Sequence, residues 1–198
     1  MINTDDKKNC SGCGVCEIVC PKQCIVFKTD ILGSRYPEVN TRDCIDCKAC
    51  ERVCPFQPDD ETREGESAYA AFSIDKMKRF RGSSGGIFET IAAWILEQNG
   101  VVYACKFDDN LKLRMFEATS INDVINLTKS KYLQCDSVEL FPRIKSNVAQ
   151  NKKVLVCSTP CQIKALKNYL GNLSESKNLL LIDFFAMEFP LSLFSINA

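Results

Sequence analysis

From residue 68 onward the chain shows two alternating periods of apolar and polar positions. Residues 101–107, 154–157 and 179–185 are short, nearly unbroken apolar runs, as in strands buried on both faces. Residues 87–98 place Ile87, Phe88, Ile91 and Ile95 at helical spacing, with Gly100 as the expected C-terminal stop. Residues 160–170 predict another helix. Thr159 and Gln162 read as a capping box there, and Pro160 takes the first helical position. A short helix is predicted over 121–127, and a longer one over 137–150 interrupted early by Pro142. Residues 69–72 and 111–118 predict strands, the second entered through an Asp108-Asp109-Asn110 turn, and 79–86 predict a polar loop. Strands alternating with helices predict an α/β layer with some parallel pairing. The first 58 residues differ: only 24–27 and 36–39 read as short strands, with turn chemistry at Gly33-Ser34 between them. Residues 58–67 carry Asp59, Asp60, Glu61, Arg63, Glu64 and Glu66 without an apolar pattern, and predict a solvated linker.

The chain has 198 residues, enough for one ordinary domain or two small ones. Lys and Arg total 25 and so do Asp and Glu, which leaves no electrostatic footprint for nucleic acid or an anionic membrane. No stretch approaches the roughly 18 apolar residues of a transmembrane segment. Met1 to Asn9 is polar and shows no secretory signal, so a reducing, cytoplasmic location is expected. Histidine is absent. That excludes Ser-His-Asp and Cys-His catalysis, Rieske clusters and Cys/His zinc sites.

Cysteine numbers 13, and eight of these form two runs. Cys10, Cys13, Cys16 and Cys20 precede Pro21, and Cys44, Cys47, Cys50 and Cys54 precede Pro55. Both read C-x2-C-x2-C-x3-C-P. Three cysteines at two-residue intervals can wrap three irons of one cubane, while the fourth points away to the other cluster. Cluster one is therefore assigned Cys10, Cys13, Cys16 and Cys54, and cluster two Cys44, Cys47, Cys50 and Cys20. Gly12 and Gly14 are read as letting the backbone pass close to the cluster. Zinc knuckles use paired C-x2-C rather than such triplets, and the odd cysteine total argues against a complete disulfide framework. Residues 1–58 resemble the bacterial two-cluster ferredoxin fold.

Two loops of the second part have the chemistry of a ligand site. Arg81-Gly82-Ser83-Ser84-Gly85-Gly86 opens a helix, where converging N–H groups favour a phosphate; a plain capped turn is the competing reading. Ser158-Thr159-Pro160-Cys161-Gln162 follows a strand, and ligands of open α/β sheets gather at strand C-terminal ends. Cys161 falls in the first helical turn, where the helix dipole is expected to lower a thiol pKa. Cys24, Cys105, Cys135 and Cys157 read as small core residues.

The ordered set of dicluster motif, Arg81-Gly-Ser-Ser-Gly-Gly-Ile87-Phe88, Ser130-Lys131-Tyr132-Leu133-Gln134 and Ser158-Thr159-Pro160-Cys161-Gln162 resembles the beta-subunit family of coenzyme F-420 hydrogenases and dehydrogenases. The resemblance spans residues 8 to about 184. Where Ser158 and Cys135 stand here, the family usually shows Gly and Ser. It implies an α+β dicluster ferredoxin domain (1–58), a linker (59–67) and the N-terminal part of an α/β, flavin-binding domain (68–185). It also implies an oxidoreductase subunit that carries two 4Fe-4S clusters and FAD, works with a redox partner protein or other subunits, and passes electrons to a deazaflavin or another acceptor. Ser83, Ser84, Gly85 and Gly86 would contact phosphate. Lys131, Tyr132 and Gln134 would position the cofactor, and Thr159, Cys161 and Gln162 would line the same cleft. A simple electron carrier with a docking domain, or an inactive fragment, are the alternatives.

The family runs to roughly twice this length and, after the strand ending at Asp183, normally reads two apolar residues and then Cys-His-Gly-Val-Pro-Ser. Here Ala186-Met187-Glu188-Phe189-Pro190-Leu191 follows Phe185. Codons GCC ATG GAG TTC CCT CT after TTT TTT, with one added T, read TGC CAT GGA GTT CCC TCT, which encodes that motif. A one-base slip in the T run is therefore expected, with 186–198 as an aberrant, disordered tail and 69–185 only marginally stable.

Overall fold

The computed structural model describes residues 2, 7–31, 33–56 and 67–184. The N-terminal part pairs β1 (Ile25–Thr29) with β2 (Arg35–Val39) as an antiparallel ribbon, Ile25 opposite Val39. Two one-turn helices flank it, α1 (Val15–Ile18) and α2 (Ala49–Arg52). Each begins after a residue in the left-handed region, Gly14 at φ 83° and Lys48 at φ 58°. These turns bury the third cysteine of each motif, Cys16 and Cys50.

The second part runs α3 (Lys76–Arg81), α4 (Ile87–Glu97), β3 (Val101–Phe107), β4 (Leu113–Ala118), α5 (Ile121–Leu127), α6 (Phe141–Ala149), β5 (Val154–Ser158), α7 (Pro160–Leu170) and β6 (Leu179–Asp183). The sheet order is β4-β3-β5-β6, with β4 antiparallel to β3 and the other pairs parallel. Alternation along β3 and β5 sends side chains to two cores. Val101, Tyr103, Val154 and Val156 meet Phe141, Ile144 and Val148 of α6 and Ile163, Leu166 and Leu170 of α7. Val102, Ala104 and Leu155 meet Ala92 and Ile95 of α4 and Val124 and Leu127 of α5. The result is an α/β/α sandwich around a mixed sheet.

The two cysteine motifs do not stand apart from this sandwich. Val15 of α1 belongs to the same core as Phe141 and Val138. Arg35 pairs with Asp136 at 2.8 Å, and Gln134 Nε2 donates to the Ser11 carbonyl at 2.7 Å. Asn168 Nδ2 of α7 lies 3.3 Å from the carbonyls of Val53 and Cys54. Gly12 and Gly14 serve this contact: a Cβ on Gly12 would fall 2.6 Å from the Arg35 carbonyl, and one on Gly14 would fall 2.9 Å from Val138 Cγ1. Gly14→Ala thus adds a clash to a left-handed conformation. It is expected to cost about 2 kcal/mol, a Tm loss of about 4–8 °C in the cluster-loaded protein. An unchanged Tm would show that the contact with Val138 does not constrain this turn.

Several local expectations are corrected. Residues 69–72 form no strand; Tyr69 and Phe72 are largely exposed. The segment instead lies against the 82–86 loop, where Ser73 N donates to the Gly85 carbonyl at 2.7 Å and Arg79 binds the Ser73 carbonyl. Residues 79–81, expected in the polar loop, instead end a helix over Lys76–Arg81, which the Asp75 carboxylate caps by accepting from the N–H groups of Met77 and Lys78. After α4 it is Asn99, at φ 56°, that turns left-handed. Gly100 is required for space instead, since a Cβ there would lie 2.6 Å from the Ile95 carbonyl. A 3-10 turn over 138–140 precedes α6, and Pro142 sits in the first turn of α6, so it starts that helix rather than interrupting it. Thr159 caps α7 by backbone only, because Gln162 is drawn into the interior. β6 is half-buried rather than buried, with a single neighbouring strand among the described residues. The greater part of the expected linker, and all of the expected tail, lie outside the described residues.

Candidate functional site

The folded chain sets the cysteines of the two motifs around two hollows. One, of about 340 Å³ including its open mouth, is lined by Cys10, Cys13, Cys16 and Cys54 with Val15, Phe27, Pro37, Pro55 and Phe56. The other, of about 360 Å³, is lined by Cys20, Cys44, Cys47 and Cys50 with Ile25, Val39, Ile45 and Cys24. Each hollow therefore takes three cysteines from one run and the last cysteine of the other. Each third cysteine sits within a one-turn helix, and the fourth follows beyond its end.

Around the first hollow the surroundings favour protonated thiols until a metal displaces the proton. Burial raises the Cys10 thiol above its usual range, and pushes Cys13 up to about 11. Burial likewise raises Cys16, helped by its neighbours Cys13, Cys10, Cys54 and Cys50. Without metal these thiols hold their protons; an iron cluster displaces them. Gly12 N points at Cys10 Sγ from 3.4 Å, a contact of the kind that tunes cluster sulfurs. The Ser11 hydroxyl, on the wall of the first hollow, is buried without a hydrogen-bond partner among the described residues. Among the described residues no three Cys, Asp or Glu side chains converge as a single metal ion needs. A polynuclear cluster, with a different iron for each thiolate, suits thiols spread around a hollow.

Two of the loops read as a cofactor site meet where α4 begins and α5 ends. Ser130 N donates to Ser83 Oγ at 2.6 Å across 47 positions of sequence. Gly86, at φ 71°, precedes α4, and among the described residues no side chain caps the first-turn N–H groups of that helix. Close approach of α3 needs the glycine: a Cβ on Gly86 would fall 2.8 Å from the Lys78 carbonyl carbon. The loop is held by Glu89, which is 2 % exposed and takes Arg81 Nη2 at 2.5 Å and Nε at 2.9 Å. Sequence patterning hides Glu89, because a carboxylate on an apolar helix face normally reads as solvated.

The other expected site residues do not all gather at this loop. Lys131 Nζ donates to the Leu127 and Thr128 carbonyls at 2.7 Å and so closes the end of α5. Burial lowers its pKa, while Cys105, Cys157 and Cys135 nearby act against that. Tyr132 is largely exposed, and Gln134 reaches the Ser11 loop of the first hollow. Gln162 is buried, bonded to Ser158 Oγ and, at 2.6 Å, to the Cys135 carbonyl. Thr159 Oγ1 lies 3.3 Å from Cys161 Sγ.

Residues 9–57 match the family model described as 4Fe-4S dicluster domain. Residues 68–141 match the model described as coenzyme F420 hydrogenase/dehydrogenase, beta subunit N-term. No curated protein matches the chain. Among the described residues no helix is long and apolar enough to cross a membrane. A 4Fe-4S dicluster domain is thus followed along the chain by a domain that matches the N-terminal family model of coenzyme F420 hydrogenase/dehydrogenase beta subunits, which are oxidoreductase subunits.

Proposed function

We propose that this chain is an iron–sulfur flavoprotein subunit in which two 4Fe-4S clusters pass electrons to a flavin at the Ser83–Ser130 loops and on to a deazaflavin or another acceptor. When bound, the clusters carry single electrons and the flavin exchanges them for a hydride. Cys10, Cys13, Cys16 and Cys54 would hold cluster one; Cys44, Cys47, Cys50 and Cys20 would hold cluster two. Ser83, Ser84, Gly85 and Gly86 at the open N-terminus of α4 would receive the FAD phosphates, as such termini favour anions.

The observation that carries the reading is the bond from Gln134 to the Ser11 carbonyl. It ties the segment carrying Lys131 and Tyr132 to the loop between Cys10 and Cys13, so one short segment borders both the cluster-one hollow and the cofactor loops. Other subunits or a soluble redox protein of the cytoplasm would serve as partner.

An absorbance spectrum of the anaerobically purified protein, before and after denaturation releases bound flavin, tests the proposal. Broad iron–sulfur absorbance with released FAD is expected; clusters without flavin would leave an electron carrier. Ser84→Asp sets a carboxylate where the phosphate is placed, and like charges repel. Flavin affinity is expected to fall at least about tenfold, about 1.4 kcal/mol, by equilibrium titration. Unchanged affinity would return the loop to a plain helix start.

A further inference from the structure

Three cysteines outside the cluster motifs gather at the C-terminal ends of the parallel strands. Cys105 stands near the end of β3, Cys157 near the end of β5, and Cys135 on the segment that pairs with β4 through Arg114 and Asp136. Cys105 and Cys157 point to opposite faces: Cys105 packs with the core of Tyr103 and Met115, Cys157 with that of Leu155. Only Cys105 and Cys135 meet, with Sγ atoms 2.6 Å apart. That is well inside ordinary sulfur contact, and closing it to a bond of about 2.05 Å needs about half an ångström. The segment is free to make that adjustment no further than its anchors permit: Gln162 holds the Cys135 carbonyl at 2.6 Å and Gln134 the Ser11 carbonyl at 2.7 Å.

The two sulfurs are not equivalent. Cys135 is buried, whereas Cys105 is partly exposed. The contact with Cys135 and the positive charge of Lys131 lower the Cys105 pKa, and the same contact and burial raise that of Cys135. An attacking thiol needs access and thiolate character, while a resolving thiol needs only to be adjacent.

We propose that Cys105 and Cys135 form a redox-active dithiol that exchanges with low-molecular-weight disulfides. The Cys105 thiolate attacks one sulfur of the disulfide, forms a mixed disulfide and releases one thiolate. Cys135 then attacks Sγ of Cys105, loses its proton, and releases the second thiol. The protein dithiol is oxidised by two electrons and the small disulfide is reduced by two. Neither the clusters nor a flavin takes part, so the exchange stands or falls separately from the function proposed above. It goes beyond the family pattern, which usually has Ser where Cys135 stands.

The test treats cluster-loaded full-length protein anaerobically with oxidised glutathione, blocks free thiols with iodoacetamide and maps peptides by mass spectrometry. A Cys105–Cys135 crosslink reversed by dithiothreitol is expected, while Cys157 remains alkylated. In Cys135→Ser the resolving thiol is gone, and Cys105 should be trapped as its glutathione mixed disulfide. Cys157→Ser should leave the crosslink unchanged. Full alkylation of both Cys105 and Cys135 in the folded wild type would overturn the proposal, as would a crosslink from Cys105 to Cys157.

Discussion

Anaerobically loaded protein is expected to bind about eight irons per chain, and Cys20→Ala to bring this to about four. The four that go are not those of the sequence neighbours of Cys20. Cys20 lines the hollow of Cys44, Cys47 and Cys50, so that hollow loses a ligand while Cys10, Cys13, Cys16 and Cys54 keep theirs. Cys24 lies 3.4 Å from Cys20 in the same hollow, and the double variant Cys20→Ala/Cys24→Ala removes the substitute thiol it offers. Iron analysis gives the stoichiometry, and alkylation under native conditions gives the location. In the double variant Cys44, Cys47 and Cys50 should become reactive while Cys10, Cys13 and Cys16 stay protected. About four irons in the intact protein would end the two-cluster assignment. Protection lost first at Cys10, Cys13 and Cys16 would end the crossed ligation.

The parts legible in the sequence are those in which short-range pattern and final environment agree. β3 is an apolar run in a sheet interior, and its bounds, Val101–Phe107, are those of the pattern. α5 carries its capping box, Ser120 with Asp123, in seven residues. The cysteine spacing likewise groups residues that the two hollows gather. Long-range bonds decided the rest. Thr159 and Gln162 have the identities of a capping box, yet the buried bonds of Gln162 to Ser158 and Cys135 outweigh one helix cap. Residues 69–72 have strand composition but lie against the 82–86 loop. Gly12 and Gly14 were chemically suggestive beside a cluster, and they are needed for Gln134, Arg35 and Val138 to approach. A single sequence does not display the partner that forces a glycine, so a local reading assigns it to the nearest chemistry. The same holds for Cys105 and Cys135, which look like core residues until 30 positions of chain fold back.

Arg81→Ala is expected to lower Tm by on the order of 10 °C and to remove flavin binding together with it. The reason lies in Glu89. Its carboxylate is 2 % exposed, and Arg81 meets both of its oxygens. Taking the guanidinium away leaves a buried anion with neither water nor a partner, and that penalty exceeds what the pair contributes when intact. Arg81 ends α3 and Glu89 lies in the first turn of α4, so the pair also clamps the intervening 82–86 loop from both sides. Ser83, which meets Ser130 from that loop, is expected to lose the contact when the loop is released. If the proposed flavin site is correct, stability and cofactor affinity are expected to be coupled through one ion pair, whereas Ser84→Asp is expected to act on affinity alone. The double variant Arg81→Leu/Glu89→Leu separates the two effects. It removes both charges and fills similar volume, so most of the Tm should return. Flavin binding should stay weak, because an apolar contact lacks the fixed fork geometry that aims the loop. Recovery of both would mean that the pair serves packing only. A single variant with unchanged Tm would show that Glu89 finds water or another partner when Arg81 is gone.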